Sequence, residues 1–535
     1  MLRNNEAMES ASCEIPGTSD RRFNAAILFA MAATFLGVVS CLNSATHDML
    51  HGMALFREAL ALGYLPRDDV FAYTPTVSPT VHHEWGMGGI LYLASVASGL
   101  GAAGIMLVKY LLTATVVAGC YLCARWRGTS LPVFAVLAGV VVPFGWVGFG
   151  TVRAQLFTMA FLVCTLGLFE LDRRGRRWWI AVWLPMNVIW LNVHGGFVAG
   201  VGLFALYTIE RFVREWTASK SIVRAGREVG HLLFAGIALI PLLAVNPYGW
   251  EYIEYLWHAL RMDRSLIREW APLWQTYQPM VTMEFYVVSV ALVIYAAVTR
   301  GVRNLPQLVL VAVAAWLALW HIRHGAIYAV VWLCYVPAFI EETPLGCRIR
   351  SFWHRRTTLV RRAAVVCGVL GLIVAVHNRF WELQVPTTDV SLKLVYPGGA
   401  CDYLAEHHFE GNVMVPFSAG SFVSWKLYPA VKVSLDGRYE AAYPPGALNE
   451  NIDFYAARPG WKATLTRYDT DAVLVRRGSP LETELQAMTA DEKGPSAPWR
   501  QIYSDDGFSL YLKSSIAERF PTVDRTGTAL TAQIP

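Results

Sequence analysis

Charge is what this sequence has least of: Asp, Glu, Lys and Arg make up 16% of its 535 residues, against about 25% in a soluble globular domain. With 55% of residues hydrophobic, there is more apolar side chain than one soluble core can bury, and the excess must face lipid. A disulfide framework is missing too. Nine cysteines are scattered, with Cys41, Cys120, Cys123, Cys164, Cys334 and Cys367 in apolar runs and Cys401 in the C-terminal part, which excludes a disulfide scaffold. Cys120 and Cys123 have CxxC spacing but no second pair, so they read as packing rather than as a zinc or redox site. Nor does the net charge of +5 point to nucleic acid. Lys and Arg fall in short clusters between apolar runs, which is the pattern of membrane orientation.

Apolar runs able to cross about 30 Å of hydrocarbon lie near 23–42, 103–123, 152–171, 178–194, 196–216, 282–299, 305–321, 325–341 and 361–378, with shorter ones near 131–146 and 231–246. The expected fold is mainly α: a polytopic transmembrane helical bundle of about 11 crossings, followed by a small soluble α/β domain. The first run follows Arg21 and Arg22, exceeds a signal-peptide core in length and reads as a retained anchor. Residues 38–41 resemble a lipoprotein box, which a polytopic chain seldom needs. Arg clusters at 21–22, 125–127, 173–177, 211–227, 300–303 and 348–362 are expected in the cytoplasm. Residues 1–22 are then a cytoplasmic tail, 23–380 the membrane domain with its first outer loop at 43–85, and 381–535 an extracytoplasmic domain of an inner (plasma) membrane protein. The short apolar segment 86–100 breaks this alternation: it is read as a partly inserted or re-entrant helix, the alternative being that two of the crossings are misplaced. Beyond residue 380, strands are expected at 412–415, 431–435 and 472–475 and a helix at 399–408, with the stretch after 514 loosely ordered.

This orientation gathers the candidate chemistry on the outer side. Asp48 lies within one turn of a membrane exit and is a candidate general base; a helix N-cap is the alternative. The stretch 49–62 can lay Leu50, Met53, Leu55, Leu60 and Leu62 on the interface with Arg57 and Glu58 toward water. Asp68 and Asp69 are either ligands of a divalent cation or a solvated turn. His82, His83 and Glu84 are either ligands or a hydrogen-bonded shell. Arg153, His194, Arg323 and His324 offer cations for a departing phosphate, although an isolated Arg at a helix end commonly snorkels to head groups. Gly195, Gly196 and Gly200 read as close helix packing, and many of the 20 Trp residues as interface anchors.

On these residues the sequence resembles the GT-C integral membrane glycosyltransferases, and within them a bacterial branch. The motifs that carry the resemblance are Asp48; Gly63, Pro66, Asp69, Phe71, Tyr73 and Thr74; His83-Glu84-Trp85; Arg153, Gln155 and Phe157; Asn192, His194, Gly195, Gly196 and Phe197; Asn246-Pro247-Tyr248-Gly249; and Asp436-Gly437-Arg438. Two positions depart from the pattern: Met49-Leu50-His51 follows Asp48 in place of Trp-rich residues, and Ala154 replaces a Pro. The resemblance implies an outward-facing cavity and transfer of a sugar from a polyprenyl-phosphate donor to an extracytoplasmic acceptor that is a glycan, lipid or protein. It implies Asp48 as the acidic catalytic residue with Glu84 as the second candidate; beside it, His83, Arg153, Gln155, Asn192, His194, Arg323 and His324 are expected to bind substrate. No cofactor is implied beyond a possible divalent metal at Asp68 and Asp69. A transporter or flippase would also carry ionisable groups at membrane depth, but the sequence lacks matched broken-helix repeats. A non-catalytic envelope scaffold is the third reading.

Overall fold

The computed structural model describes residues 21–262, 264, 267–276, 279–386, 395–491 and 498–527; the expectations for the N-terminal tail up to residue 20 and for 528–535 lie outside them. Each of the eleven apolar runs is a helix: Arg21–Ser40, Ala102–Trp126, Leu131–Gly150, Ala154–Arg173, Trp179–Val193, Phe197–Ser219, Ile222–Leu242, Pro279–Arg300, Leu308–Trp320, Gly325–Glu341 and Thr357–His377. Seven of the described helices are long and apolar enough to cross a membrane. The helices at 131–150, 179–193, 197–219 and 308–320 fall outside that set, the third because its last turns carry Glu210, Arg211, Arg214 and Glu215.

Small residues decide which helices touch. A Cβ on Gly371 would stand 2.4 Å from the Ala33 carbonyl oxygen, and one on Gly37 2.6 Å from that of Gly371, so the first and last of these helices meet backbone to backbone. The helix Gly325–Glu341 has apolar residues on every side and is buried along nearly its whole length, as an all-round apolar helix at the centre of a bundle must be. Segment 86–100 forms a short helix, Trp85–Tyr92, and one π-helical turn, Leu93–Ala97. It packs on the helix His47–Leu62 at Gly88, where a Cβ would lie 2.1 Å from the Gly52 carbonyl oxygen.

The Arg clusters meet at one end of the bundle. Arg127 pairs with Glu170 and donates to Gln307 Oε1 at 2.9 Å, Arg214 donates to the Arg303 carbonyl at 2.7 Å, and Arg350 to Glu341 Oε1 at 2.5 Å. The helix Ala154–Arg173 carries Glu170 and Arg173 at that end and Arg153 at the other. Cys120 and Cys123 are buried and free, as packing residues are.

After Gly398–Glu406, a helix close to the expected one, comes a six-stranded sheet: β1 Gly411–Met414, β2 Val431–Val433, β3 Ala472–Arg476, β4 Trp499–Ser504, β5 Phe508–Lys513 and β6 Val523–Asp524. Its order is β2-β1-β3-β5-β4-β6, with β1 parallel to β2 and β3 and β5 antiparallel to β3 and β4. The β4–β5 hairpin turns on Asp505, whose Oδ1 accepts from Gly507 N and Phe508 N, both at 2.7 Å. The loop 43–85 meets the sheet beyond β2: Val433 N donates to the Phe71 carbonyl at 2.9 Å and Tyr73 N to the Val433 carbonyl at 3.1 Å. Met49, Leu50 and Phe71 of the loop share one core with Phe422 and Trp425 of the C-terminal unit.

Candidate active site

Asp48 is not the helix N-cap. Thr46 holds that position, its Oγ1 accepting from Met49 N at 3.3 Å, and Asp48 falls in the first turn. Its carboxylate is therefore free to turn outward to Arg153, the residue preceding the helix Ala154–Arg173, whose Nε donates to Asp48 Oδ2 at 2.9 Å. Arg153 Nη1 pairs in addition with Glu269, and His47 Nε2 stands 3.6 Å from Asp48 Oδ1. Burial opposes the charge on Asp48, but the guanidinium of Arg153, the nearby His47 and the more distant Arg323 outweigh it and hold the carboxyl at about 2. Burial likewise opposes the charge on Arg153, and its two carboxylates keep it firmly protonated.

Arg323 belongs to the turn Ile322–His324. Its carbonyl accepts from Gln155 Nε2 at 2.9 Å, and its guanidinium lies 4.6 Å from the centre of the Trp270 ring. Arg264 stands 4.5 Å from the same ring, so two cations share one indole. His324 meets Trp270 edge-on. Gln155 and His324 thus position Arg323 and Trp270 through contacts within the protein.

Glu84 starts the helix Trp85–Tyr92 without capping it and faces two imidazoles: His83 Nε2 lies 3.5 Å and His194 Nε2 3.4 Å from Glu84 Oε1. Burial raises the Glu84 carboxyl, while His83 and His194 lower it further, for a net shift below the usual value. Burial takes His194 down to about 4 despite Glu84, so at neutral pH it is an uncharged ring. Thr158 Oγ1 fixes that ring through Nδ1 at 2.6 Å, and Trp190 Nε1 donates to the same hydroxyl at 2.9 Å. Gly196 gives them room: a Cβ there would come within 2.5 Å of His194 Nδ1 and 2.6 Å of Thr158 Oγ1. The electrostatic reach of Asp48 includes Glu84, so the two carboxylates belong to one cluster.

Other expectations change. Asn192 is bound up in the fold, its Nδ2 donating to the Val188 and Val245 carbonyls, each at 2.8 Å, and its Oδ1 accepting from Trp85 Nε1 at 3.2 Å. Arg57 turns away from water to the Trp425 carbonyl at 2.9 Å, and stacks on the Trp425 ring. Asp68 and Asp69 diverge: Asp68 Oδ1 accepts from Ser78 Oγ at 2.6 Å, whereas Asp69 pairs with Arg438 and accepts from Ala72 N at 2.7 Å. Among the described residues, no group of three or more His, Cys, Asp or Glu is arranged to hold a metal ion. Asp436 holds Arg438 from the other side at 2.5 Å, so the Asp-Gly-Arg turn is a tie between the C-terminal unit and the loop. Glu269, Trp270, Thr158 and Tyr255 escaped sequence reasoning, because no spacing relates them to the motifs they touch.

This bundle, with its charged cluster under an α/β unit, has a GT-C-like fold, shared with solved structures of integral membrane glycosyltransferases. Three solved structures illustrate the likeness. An oligosaccharyltransferase of Archaeoglobus fulgidus is 12% identical with a TM-score of 0.56, over 87% of this chain and 70% of that one. ArnT of Cupriavidus metallidurans, bound to undecaprenyl phosphate, is 12% identical with a TM-score of 0.54, over 91% of this chain and 97% of that one. The archaeal enzyme AglB, in complex with an inhibitory peptide and a dolichol-phosphate, is 10% identical with a TM-score of 0.57, over 84% of this chain and 69% of that one. No family model and no curated relative matches the sequence.

Proposed function

We propose that this protein transfers a sugar from a polyprenyl-phosphate carrier to an acceptor on the outer face of the plasma membrane. The observation that carries the reading is the Asp48–Arg153 pair with Arg323 in its field, at the end of the bundle opposite the Arg clusters, in a fold shared with proteins bound to lipid phosphates. The polyprenyl tail stays in the bilayer, so the donor phosphate and the anomeric carbon lie at head-group level. Arg153 and Arg323 meet that phosphate, where charge accumulates as the bond to the sugar breaks. The electron pair of the broken C–O bond remains on the phosphate, the acceptor oxygen forms the new bond to the anomeric carbon, and its proton passes to Asp48.

A carboxylate at about 2 is a weak base. The phosphate raises its basicity, because it competes for the Arg153 guanidinium that holds Asp48 down. Glu84, steadied by His83 and His194, orients the acceptor. The test is transfer by purified, folded protein from a panel of polyprenyl-phosphate sugars. Asp48→Asn is expected to lower turnover about 100-fold or more. An undiminished rate in that variant would remove Asp48 from the chemistry.

A further inference from the structure

Next to this cluster, on the side of the C-terminal unit, is a cleft of about 810 Å³, within the range of about 300–1,000 Å³ typical of small-molecule sites. One wall is the helix Glu251–Ala259, which contributes Glu254 and Tyr255; the other is the C-terminal unit, with Tyr439, Tyr443, Pro444 and Asn449. The cleft is continuous with the cluster. Tyr255 OH bonds His83 Nδ1 at 2.8 Å, the two rings stack with centroids 5.1 Å apart, and His83 in turn faces Glu84.

The lining alternates flat apolar faces with polar edges. Tyr255, Tyr439, Tyr443 and Pro444 present ring surfaces, the Tyr443 hydroxyl itself being buried, and Glu254 and Asn449 supply an acceptor and an amide between them. A sugar chain has the matching chemistry, C–H faces bordered by hydroxyls. A lipid tail would have to bury the Glu254 carboxylate and the Asn449 amide without compensation. Glu251 and Glu254 offset Arg264 in the lining, with His258 beside them, so a polyanionic chain would find no cationic surplus there. We infer that this cleft takes an uncharged oligosaccharide as the acceptor, laid along Tyr439, Tyr443 and Tyr255 with its reacting end toward Glu84 and Asp48. The inference rests on the transfer reading above and names the acceptor class for it.

Binding tests it without chemistry. The full-length protein in lipid nanodiscs, with no donor present, is titrated with short neutral oligosaccharides of glucose, mannose and galactose. Uronate oligosaccharides of equal length and a soluble unstructured peptide are the controls, and saturation-transfer NMR is the readout. At least one neutral series is expected to bind and the controls not to. Asn449→Trp, at an exposed position, and Tyr439→Ala, half-buried, are each expected to weaken binding about tenfold or more without shifting the unfolding temperature. Three results would each overturn the inference: no neutral glycan binds, only the uronates or the peptide bind, or Asn449→Trp binds like the parent. Glycan binding by a protein that turns over no lipid-linked donor would leave this site standing and sink the transfer reading instead.

Discussion

Asp48 and Arg153 are joined by a hydrogen-bonded ion pair, Nε to Oδ2 at 2.9 Å, across 105 residues of sequence. Arg153 has a second carboxylate, Glu269, so it is the piece on which both acids depend. Replacing it with Met leaves two half-buried carboxylates without their cation. Transfer is expected to fall about 100-fold or more, chiefly in kcat, because the lost group acts where charge develops. Arg153→Lys is expected to recover only part of this, since an ammonium cannot reproduce the planar fork that reaches both acids. Steady-state kinetics of the three proteins decide it, and a Met variant as fast as the parent would contradict the role.

Acid is expected to weaken the fold before it protonates Asp48. Burial holds His194 at about 4 and His82 at about 3, below the unfolded value of about 6.5. Both groups are depressed, so the unfolded chain binds more protons. Their contribution is complete above about pH 6.5 and is lost as pH falls toward about 4. Asp48, depressed to about 2, adds a loss only below about pH 4. The unfolding temperature followed from neutral pH downward should show the first loss, and His194→Gln should flatten it. A variant as acid-sensitive as the parent would show that His194 is not its source.

Lys109 is fully buried and spends its ammonium on the end of the first helix: Nζ donates to the Val39 carbonyl at 2.9 Å, the Leu42 carbonyl at 3.0 Å and Asn43 Oδ1 at 2.5 Å. The Leu42 carbonyl is one of the oxygens that a helix end leaves without a helical partner, and the Val39 carbonyl accepts from Leu42 N at 3.1 Å as well. Lys109→Met is expected to cost about 2–3 kcal/mol and to slow transfer, because the chain leaving that helix carries Asp48. Thermal unfolding and turnover should therefore drop together. A stable but inactive variant, or an active but unstable one, would separate the two effects.

Gly196→Ala places a methyl group against the Thr158–His194 hydrogen bond. Overpacking of this kind costs about 1–3 kcal/mol, and the displaced imidazole no longer faces Glu84. The expected result is lower turnover with a raised KM for the acceptor, while affinity for the lipid-phosphate donor is unchanged. A donor-side defect would place His194 elsewhere in the reaction.

The sidedness proposed here predicts that Ser479→Cys, in the C-terminal unit, is labelled by membrane-impermeant thiol reagents from outside the cell. Labelling from the cytoplasm alone would invert the arrangement and remove the outer-face reading with it.

What the sequence disclosed is what local pattern can carry. Long apolar runs became helices because their length and composition act within each segment, and β1, β2 and β3 announced themselves through β-branched residues. The hairpin of β4 and β5 was missed although Asp505-Asp506-Gly507 is a turn signal and Phe508, Leu510 and Leu512 of β5 alternate with Ser509, Tyr511 and Lys513, a pattern only six residues long. That the candidate acids and cations gather at the end of the bundle opposite the Arg clusters was legible from charge alone. Their pairing was not: Glu269 reaches Arg153 from 116 residues away, and no periodicity encodes such a contact. Arg57 misled for the same reason, since its partner Trp425 lies 368 residues downstream.

The single β-bridge that the loop 43–85 makes beside β2, Ala72 to Val433, has a consequence for how the protein comes into being. Thr74 donates to the Ser434 carbonyl across 360 residues, and Asp69 meets Arg438 across 369. A ribosome delivers the loop early and its partners late, so the loop waits through the insertion of every later helix before its edge is paired. Until then the cleft has one wall, and the loop beneath Asp48 lacks the sheet that braces it. Maturation of the site is thus tied to completion of the chain, and a product cut off after the last span enters the membrane with its helices but without a finished site.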